Sequence, residues 1–215
     1  MSRRITILCA LATTMFVLFG SSTALAGGWD RIGETDGVTV YKKDGDDVMF
    51  RGVMEADVHI GNVIAVFVNP NQRPHYVDNY ADHETFERDA TSELYWLKLD
   101  MPFGVSDRDF LLRSNHDFQA GSRTFKSVTE SVTDSRKPED DCCVRADTRT
   151  EYTFEAQQGS ETTKIEVVVQ TDLKGRVPGR VVESAQEEWP VETLNAIVRQ
   201  ASNASPDSRA ADWHE

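Results

Sequence analysis

The chain has 215 residues, with 23 lysines and arginines against 36 aspartates and glutamates, and a formal net charge of −13. A surface that acidic repels phosphate backbones, which excludes nucleic-acid binding by charge attraction. The length suits a single domain with a real core.

Arg3 and Arg4 precede an apolar run over residues 5–20, and Ala24-Leu25-Ala26 is the small-x-small pattern that signal peptidase reads. A bilayer span wants about 20 apolar residues, and Thr13 and Thr14 interrupt this run. Residues 1–26 are therefore expected to be a cleaved signal peptide, not an anchor, and the mature protein to be exported, periplasmic or secreted. Cleavage removes two arginines and no acid, leaving 21 basic residues against 36 acidic ones. The acidity is read as a solubility device.

Residues 29–36 read as a short amphipathic lead-in. Residues 38–43 and 48–54 flank Asp44-Gly45, a strong hairpin signal. Residues 60–68 are apolar at helical spacing, follow Asp57 and stop at Asn69-Pro70, which predicts a short buried helix. Residues 70–77 form a turn or second short helix, and 86–88 a short strand.

Longer strands follow. Over 92–101, Tyr95, Leu97, Leu99 and Met101 share a face, and over 108–118 Phe110, Leu112, Ser114, His116 and Phe118 do. Ala120-Gly121-Ser122 turns the chain into 123–133. The charged loop 134–146 holds the adjacent Cys142 and Cys143; Cys9 leaves with the signal. Neighbouring Cα atoms are only about 3.8 Å apart, whereas most disulfides want about 4.4 Å or more. Two separate thiols are expected, with a vicinal disulfide favoured only by an oxidising compartment. Residues 148–157 place Tyr152, Phe154 and Ala156 together, and 163–170 place Ile165, Val167 and Val169 together.

A turn at Asp172-Leu173-Lys174-Gly175 leads to a long amphipathic helix starting at Pro178, whose missing N–H costs nothing at a helix start. Val182, Ala185, Trp189, Leu194, Ile197, Val198 and Ala201 form its apolar stripe. Pro190 kinks it, either as a hinge that lets the second half lift or as a static bend. Residues 203–215 are small and polar, and read as a disordered tail. The pattern is α+β, with a curved antiparallel sheet crossed by one final helix.

The run Asp172-Leu173-Lys174-Gly175-Arg176-Val177-Pro178 resembles the closing signature of START domains, the steroidogenic-acute-regulatory-related lipid-transfer family. Asp107-Arg108-Asp109-Phe110, soon after Met101-Pro102-Phe103-Gly104, is similar to that family's Pro…Arg-Asp-Phe strand entry, and Trp29 with residues 36–41 resembles its opening. Asp107 stands where the family usually has Pro, and Glu183 where Asn is common. The resemblance spans most of residues 29–201. It implies a helix-grip fold over 27–202, in which the sheet wraps the last helix and leaves an elongated apolar cavity.

Under that resemblance the ligand-binding candidates are Leu97, Leu99, Phe110, Leu112, Ser114, His116 and Phe154 on the inner strand faces. Val167 and Val169 from the last strand join them, with Val182, Ala185 and Trp189 from the helix. Large apolar side chains mixed with a few small polar ones suit a small-molecule site; an ordinary packed core is the plainer alternative. Arg108 is expected in a structural ion pair, with Asp109 on the other face.

The sequence has no Gly-x-Ser-x-Gly, His-Glu-x-x-His or phosphate loop. His75, His83 and Asp82-His83-Glu84 do not recur at metal-ligand spacing, so neither metal nor cofactor is expected. The reading is an exported lipid-binding or lipid-transfer protein, with a hydrophobic small molecule or lipid as partner and transient membrane contact during exchange. The alternatives are an enzyme like the superfamily's cyclases and dehydratases, and an interaction module with a collapsed cavity.

Overall fold

The computed structural model describes residues 28–45, 48–102, 104–177 and 179–215, without the side chains of 180–186. The expected signal peptide lies outside the described residues. In chain order come β1 (Asp30–Thr35), β2 (Val38–Lys43), β3 (Met49–Asp57) and α1 (Ile60–Phe67). A 3₁₀ turn, Pro70–Gln72, leads to α2 (Arg73–Tyr76), β4 (Tyr80–Arg88), β5 (Ser92–Leu99) and β6 (Arg108–Gln119). Then follow β7 (Thr124–Ser131), β8 (Val144–Arg145), β9 (Asp147–Ala156), β10 (Thr162–Asp172) and α3 (Gly179–Ala201).

The strands form one sheet in the order β1-β2-β3-β10-β9-β7-β6-β5-β4, antiparallel throughout, with β8 added in parallel beside β6. The last strand thus pairs with the first hairpin, Val167 lying opposite Gly52 on β3 and Tyr152 on β9. Strict alternation makes this possible. Thr163, Ile165, Val167 and Val169 are buried along β10 while their neighbours are partly exposed, the period of two that presents one face to a core.

Two apolar clusters occupy the concave face. The larger joins β2, β3, β7, β9 and β10 to α1 and the second half of α3, and contains the fully buried Ile60, Val63, Phe125, Phe154, Leu194 and Ile197. The smaller is built from Tyr95, Leu97, Phe110 and Leu112 of β5 and β6 with Ala146. A third cluster, Leu94, Trp96 and Leu111, lies on the opposite face of β5 and β6. The charged 134–146 segment straps that face: Lys137 sits 4.0 Å over the Trp96 ring, and Arg145 pairs with Asp109 at 2.7 Å. Asp109 faces away from the concave side, as its alternation with Phe110 requires.

Four expectations change. The 29–36 lead-in is an edge strand, because Asp36 and Gly37, both with positive φ, form a two-residue hairpin turn into β2. The strand expected at 86–88 extends over the whole of β4. Cys142 and Cys143 are joined as a disulfide, their Cα atoms 3.8 Å apart. The 203–215 tail packs onto the domain, burying Ala210, Trp213 and His214. His214 Nε2 accepts the Ile60 N–H at 2.9 Å, and the side chain of His59 accepts that of Gly61 at 2.9 Å. The two imidazoles thereby satisfy N–H groups that a helix start leaves open. Composition alone missed the tail because one tryptophan and one histidine anchor it.

Candidate functional site

Between the two concave clusters, under α2 and α3, lies a pocket of about 220 Å³. Leu97 and Leu99 of β5, Phe110 and Leu112 of β6, Val169 of β10 and Trp189 of α3 line it, with Phe67 of α1 and Tyr76 of α2. Each strand contributes alternate residues, so the inward parity read from sequence is the parity of this wall. Asp78 and Asn79, both exposed, and Met101 and Leu173 are also among its lining residues.

Eight of the candidates line the pocket: Leu97, Leu99, Phe110, Leu112, Ser114, His116, Val169 and Trp189. Phe154 and Val167 do not. They point inward but belong to the packed half of the face, where both are fully buried. Phe154 stacks on Phe125 with ring centroids 5.3 Å apart, and Val167 lies where α3 closes onto β3. Parity reports the face of a strand, not the position along it. Val182 and Ala185 lie outside the described side chains.

The pocket also has a polar end that the sequence reading missed. Arg73 Nη2 donates to Glu93 Oε2 at 2.6 Å, both side chains being almost completely buried. Thr85 donates to Glu93 Oε1 at 2.9 Å, and the guanidinium lies 3.8 Å over the Tyr95 ring. Burial works against the Arg73 charge, but Tyr95, Tyr76 and Glu93 outweigh it and hold the guanidinium protonated. Burial pushes the Tyr76 phenol up to about 12, with Arg73 partly offsetting it; its hydroxyl donates to the Phe67 carbonyl at 3.1 Å. Among the described residues, Arg73 Nη1 and Thr193 Oγ1 are buried without a hydrogen-bond partner.

His116 is half-buried and held neutral, its pKa pushed down to about 4 chiefly by burial. Its Nδ1 lies 3.0 Å from Ser127 Oγ. Ser127 is 1% exposed and does not line the pocket, so this Ser–His pair offers no nucleophile to a bound molecule. Ser114 and Thr129 bond each other at 2.6 Å. The wall is thus suited to holding an apolar body beside a closed ionic pair.

Two of these polar residues had a signal. Glu93 continues the alternation of Tyr95, Leu97 and Leu99, and Thr193 stands one helical turn beyond Trp189. Arg73 had none, since a four-residue helix carries no readable period. Arg108 also differs from expectation. It is 1% exposed and binds main-chain carbonyls, donating to Leu173 at 2.6 Å, Lys174 at 2.8 Å and Ser106. The Arg-Asp-Phe segment therefore clasps the turn that precedes α3, and Leu173 in that turn reaches the pocket.

Residues 71–205 match the family model of the START domain. The fold is similar to that of human STARD10 (TM-score 0.73, 18% identity, covering 81% of this chain and 73% of that one). It is also similar to human StAR-related lipid transfer protein 5 (0.72, 19%, 82% and 87%). A third likeness is to a fragment of a STAR-related lipid transfer protein from Xanthomonas axonopodis (0.70, 20%, 82% and 99%). At these identities the likeness shows the fold. No curated protein matches the sequence.

Proposed function

From the premise that this chain belongs to the START domain family, we propose that it binds a hydrophobic small molecule or lipid in the pocket between the sheet and α3. The observation that carries the reading is the wall itself: eight apolar or aromatic side chains from six elements, beside an ionic pair already neutralised within the protein. Such a site gains affinity from apolar area removed from water, about 25 cal/mol per Å², and takes orientation from few polar groups. The protein is read as a carrier that returns its ligand unchanged, a reading supported by Ser127, the hydroxyl partner of His116, not lining the pocket.

On the same footing we propose that the carrier works outside the cytoplasm after cleavage behind Ala26, supported by the leader pattern alone; N-terminal sequencing of the secreted product tests that. The binding reading is tested by organic extraction of the purified protein with mass spectrometry, then by incubation with the lipids found. A stoichiometric, unmodified lipid is expected. A chemically altered product would move the protein to the enzyme reading, and an empty extract with no saturable uptake would leave an interaction module.

A further inference from the structure

Two histidines outside the pocket hold the end of the chain. His59 precedes α1 and His214 lies in the C-terminal segment, with their ring centroids 4.4 Å apart. Each ring spends one nitrogen as an acceptor. His214 Nε2 takes the Ile60 N–H at 2.9 Å, and His59 Nδ1 takes the Gly61 N–H at 2.9 Å. The remaining nitrogens carry the protons: His214 Nδ1 donates to the Ser160 carbonyl, and the Ala211 main chain bonds the His59 ring. This arrangement requires two neutral imidazoles, because a protonated ring has two donors and no acceptor.

The histidines sit at a tight seat between tail and domain. The Asp207 N–H donates to the Gly61 carbonyl at 2.9 Å, and the Gly159 N–H to that of His214 at 3.0 Å. A β-carbon on Gly61 would lie 2.8 Å from Pro206 Cβ. A proton added to either ring sets N–H against N–H across this seat, and protons on both place two cations side by side. The charged groups on the surrounding elements do little to relieve that. Glu161, in the turn between β9 and β10, favours the charged form of His59 but is exposed. Asp57 accepts from Thr162, Asp207 pairs with Arg209, and Arg123 is bonded to the Glu215 carbonyl. Asp212 and Glu215 are exposed. Burial, then His214, outweigh Glu161 and the Ala211 main chain and hold the His59 pKa below the ordinary histidine value.

We infer that residues 203–215 form an acid-released latch, held on α1 while His59 and His214 are neutral and freed when either takes a proton. Attachment is complete above about pH 6.5, the ordinary value of a freed histidine, and is lost as pH falls below it. At pH 5 a freed imidazole favours its protonated form about thirtyfold, so each ring multiplies release by about that factor. Release leaves the first turn of α1, the helix whose Phe67 lines the pocket, without its two acceptors. The latch stands whether or not the pocket holds a lipid.

The test is hydrogen–deuterium exchange of the mature chain at pH 7.5 and pH 5, with rates corrected for the intrinsic pH dependence of exchange. Protection of the Ile60, Gly61 and Asp207 amides is expected to fall about thirtyfold or more at pH 5, while that of residues 165–169 stays. His116, with a pKa of about 4, remains neutral at both values. His59→Asn combined with His214→Gln puts an amide oxygen that does not titrate in place of each accepting nitrogen, and should keep protection equal at the two pH values. Ring nitrogen chemical shifts of the wild type, followed by NMR, should titrate in step with the loss of protection. Unchanged wild-type protection at pH 5 would overturn the inference, as would a double variant that loses protection in acid as the wild type does. If the double variant is loose already at pH 7.5, the ring shifts decide: titration in step supports the latch, and rings still neutral once protection is gone overturn it.

Discussion

Pro190, midway along α3, rests on the bare main chain of Gly52 in β3, so closely that a β-carbon on the glycine would lie 2.7 Å from Pro190 Cβ. The same β-carbon would be 3.4 Å from Leu194 Cδ1 and from Val167 Cγ1. The helix is therefore seated on the sheet at this point, and Pro190 is buried there. A proline costs a helix one main-chain bond; here the loss accompanies a close approach that only glycine permits. Gly52→Ala should lower stability by about 1–3 kcal/mol through overpacking. Gly121→Ala, where an added β-carbon meets nothing, should stay within about 0.5 kcal/mol of wild type. Urea unfolding of both variants decides it; equal effects would mean that the seat is slack.

Val169 and Val167 face the same way on β10, one lining the pocket and the other fully buried in the packed half. Val169→Trp should fill free space, block uptake of an apolar fluorophore and leave the melting temperature near wild type. Leu112→Trp, also on the wall, should do the same. Val167→Trp has nowhere to go and should cost about 1–3 kcal/mol or more. Equal destabilisation by Val169→Trp and Val167→Trp would show that the pocket is too small to matter.

The contrast also marks what the sequence could disclose. Period-two alternation assigned Leu97, Phe110, Leu112 and Val169 to the concave side, and the apolar stripe of the last helix found Leu194 and Ile197. Alternation is a local signal, set by the pleat. The depth at which α3 meets the sheet is a tertiary property, fixed by Gly52 and Pro190 across 138 residues of chain, and no local pattern reports it. Arg73 was hidden for the same reason, since its partner Glu93 is found only once α2 folds over β5. The buried outer face at Trp96 and Leu111 was missed because a charged loop gives no hint that it covers an apolar patch.

His116 should give stability a measurable slope in mild acid. Burial holds its folded pKa at about 4, below the unfolded value, so the unfolded chain binds the proton more readily. The contribution is therefore complete above about pH 6.5 and is lost as pH falls toward 4. At about 1.4 kcal/mol per pKa unit, it amounts to roughly 3 kcal/mol at most. His116→Gln should flatten the urea midpoint between those limits relative to wild type. An unchanged slope would mean that other groups carry the acid sensitivity.

Trp213 is 4% exposed at the end of the chain, and its neighbour His214 accepts from the first turn of α1. Trp213→Ala should cost about 3–5 kcal/mol, the range for removing a large buried aromatic. A cost below about 0.5 kcal/mol, the range of ordinary surface changes, would show that the tail is not part of the folded unit. The readout is chemical denaturation of the full mature chain.

Ligand exchange requires some element to move, because protein interiors pack at crystal-like density. The second half of α3 is a poor candidate, since Leu194, Ile197 and Ala201 are fully buried against α1 and the sheet. The segment between β5 and β6 differs. Pro102, Gly104 and Ser106 are exposed, Met101 reaches the pocket, and Arg108 holds the far end. Asp107 closes it, accepting the Met101 N–H at 3.1 Å and pairing with Lys98 at 3.0 Å. Among its described residues, exposed positions held by the Asp107 staple describe a segment that opens locally without global unfolding. Asp107→Ala should therefore speed ligand release several-fold with little change in melting temperature. Amides of residues 101–107 should become more protected from deuterium exchange on loading, while those of 191–200 stay protected with or without ligand. Fast exchange of 191–200 in the empty protein, together with an unchanged release rate in Asp107→Ala, would transfer the gate to the helix.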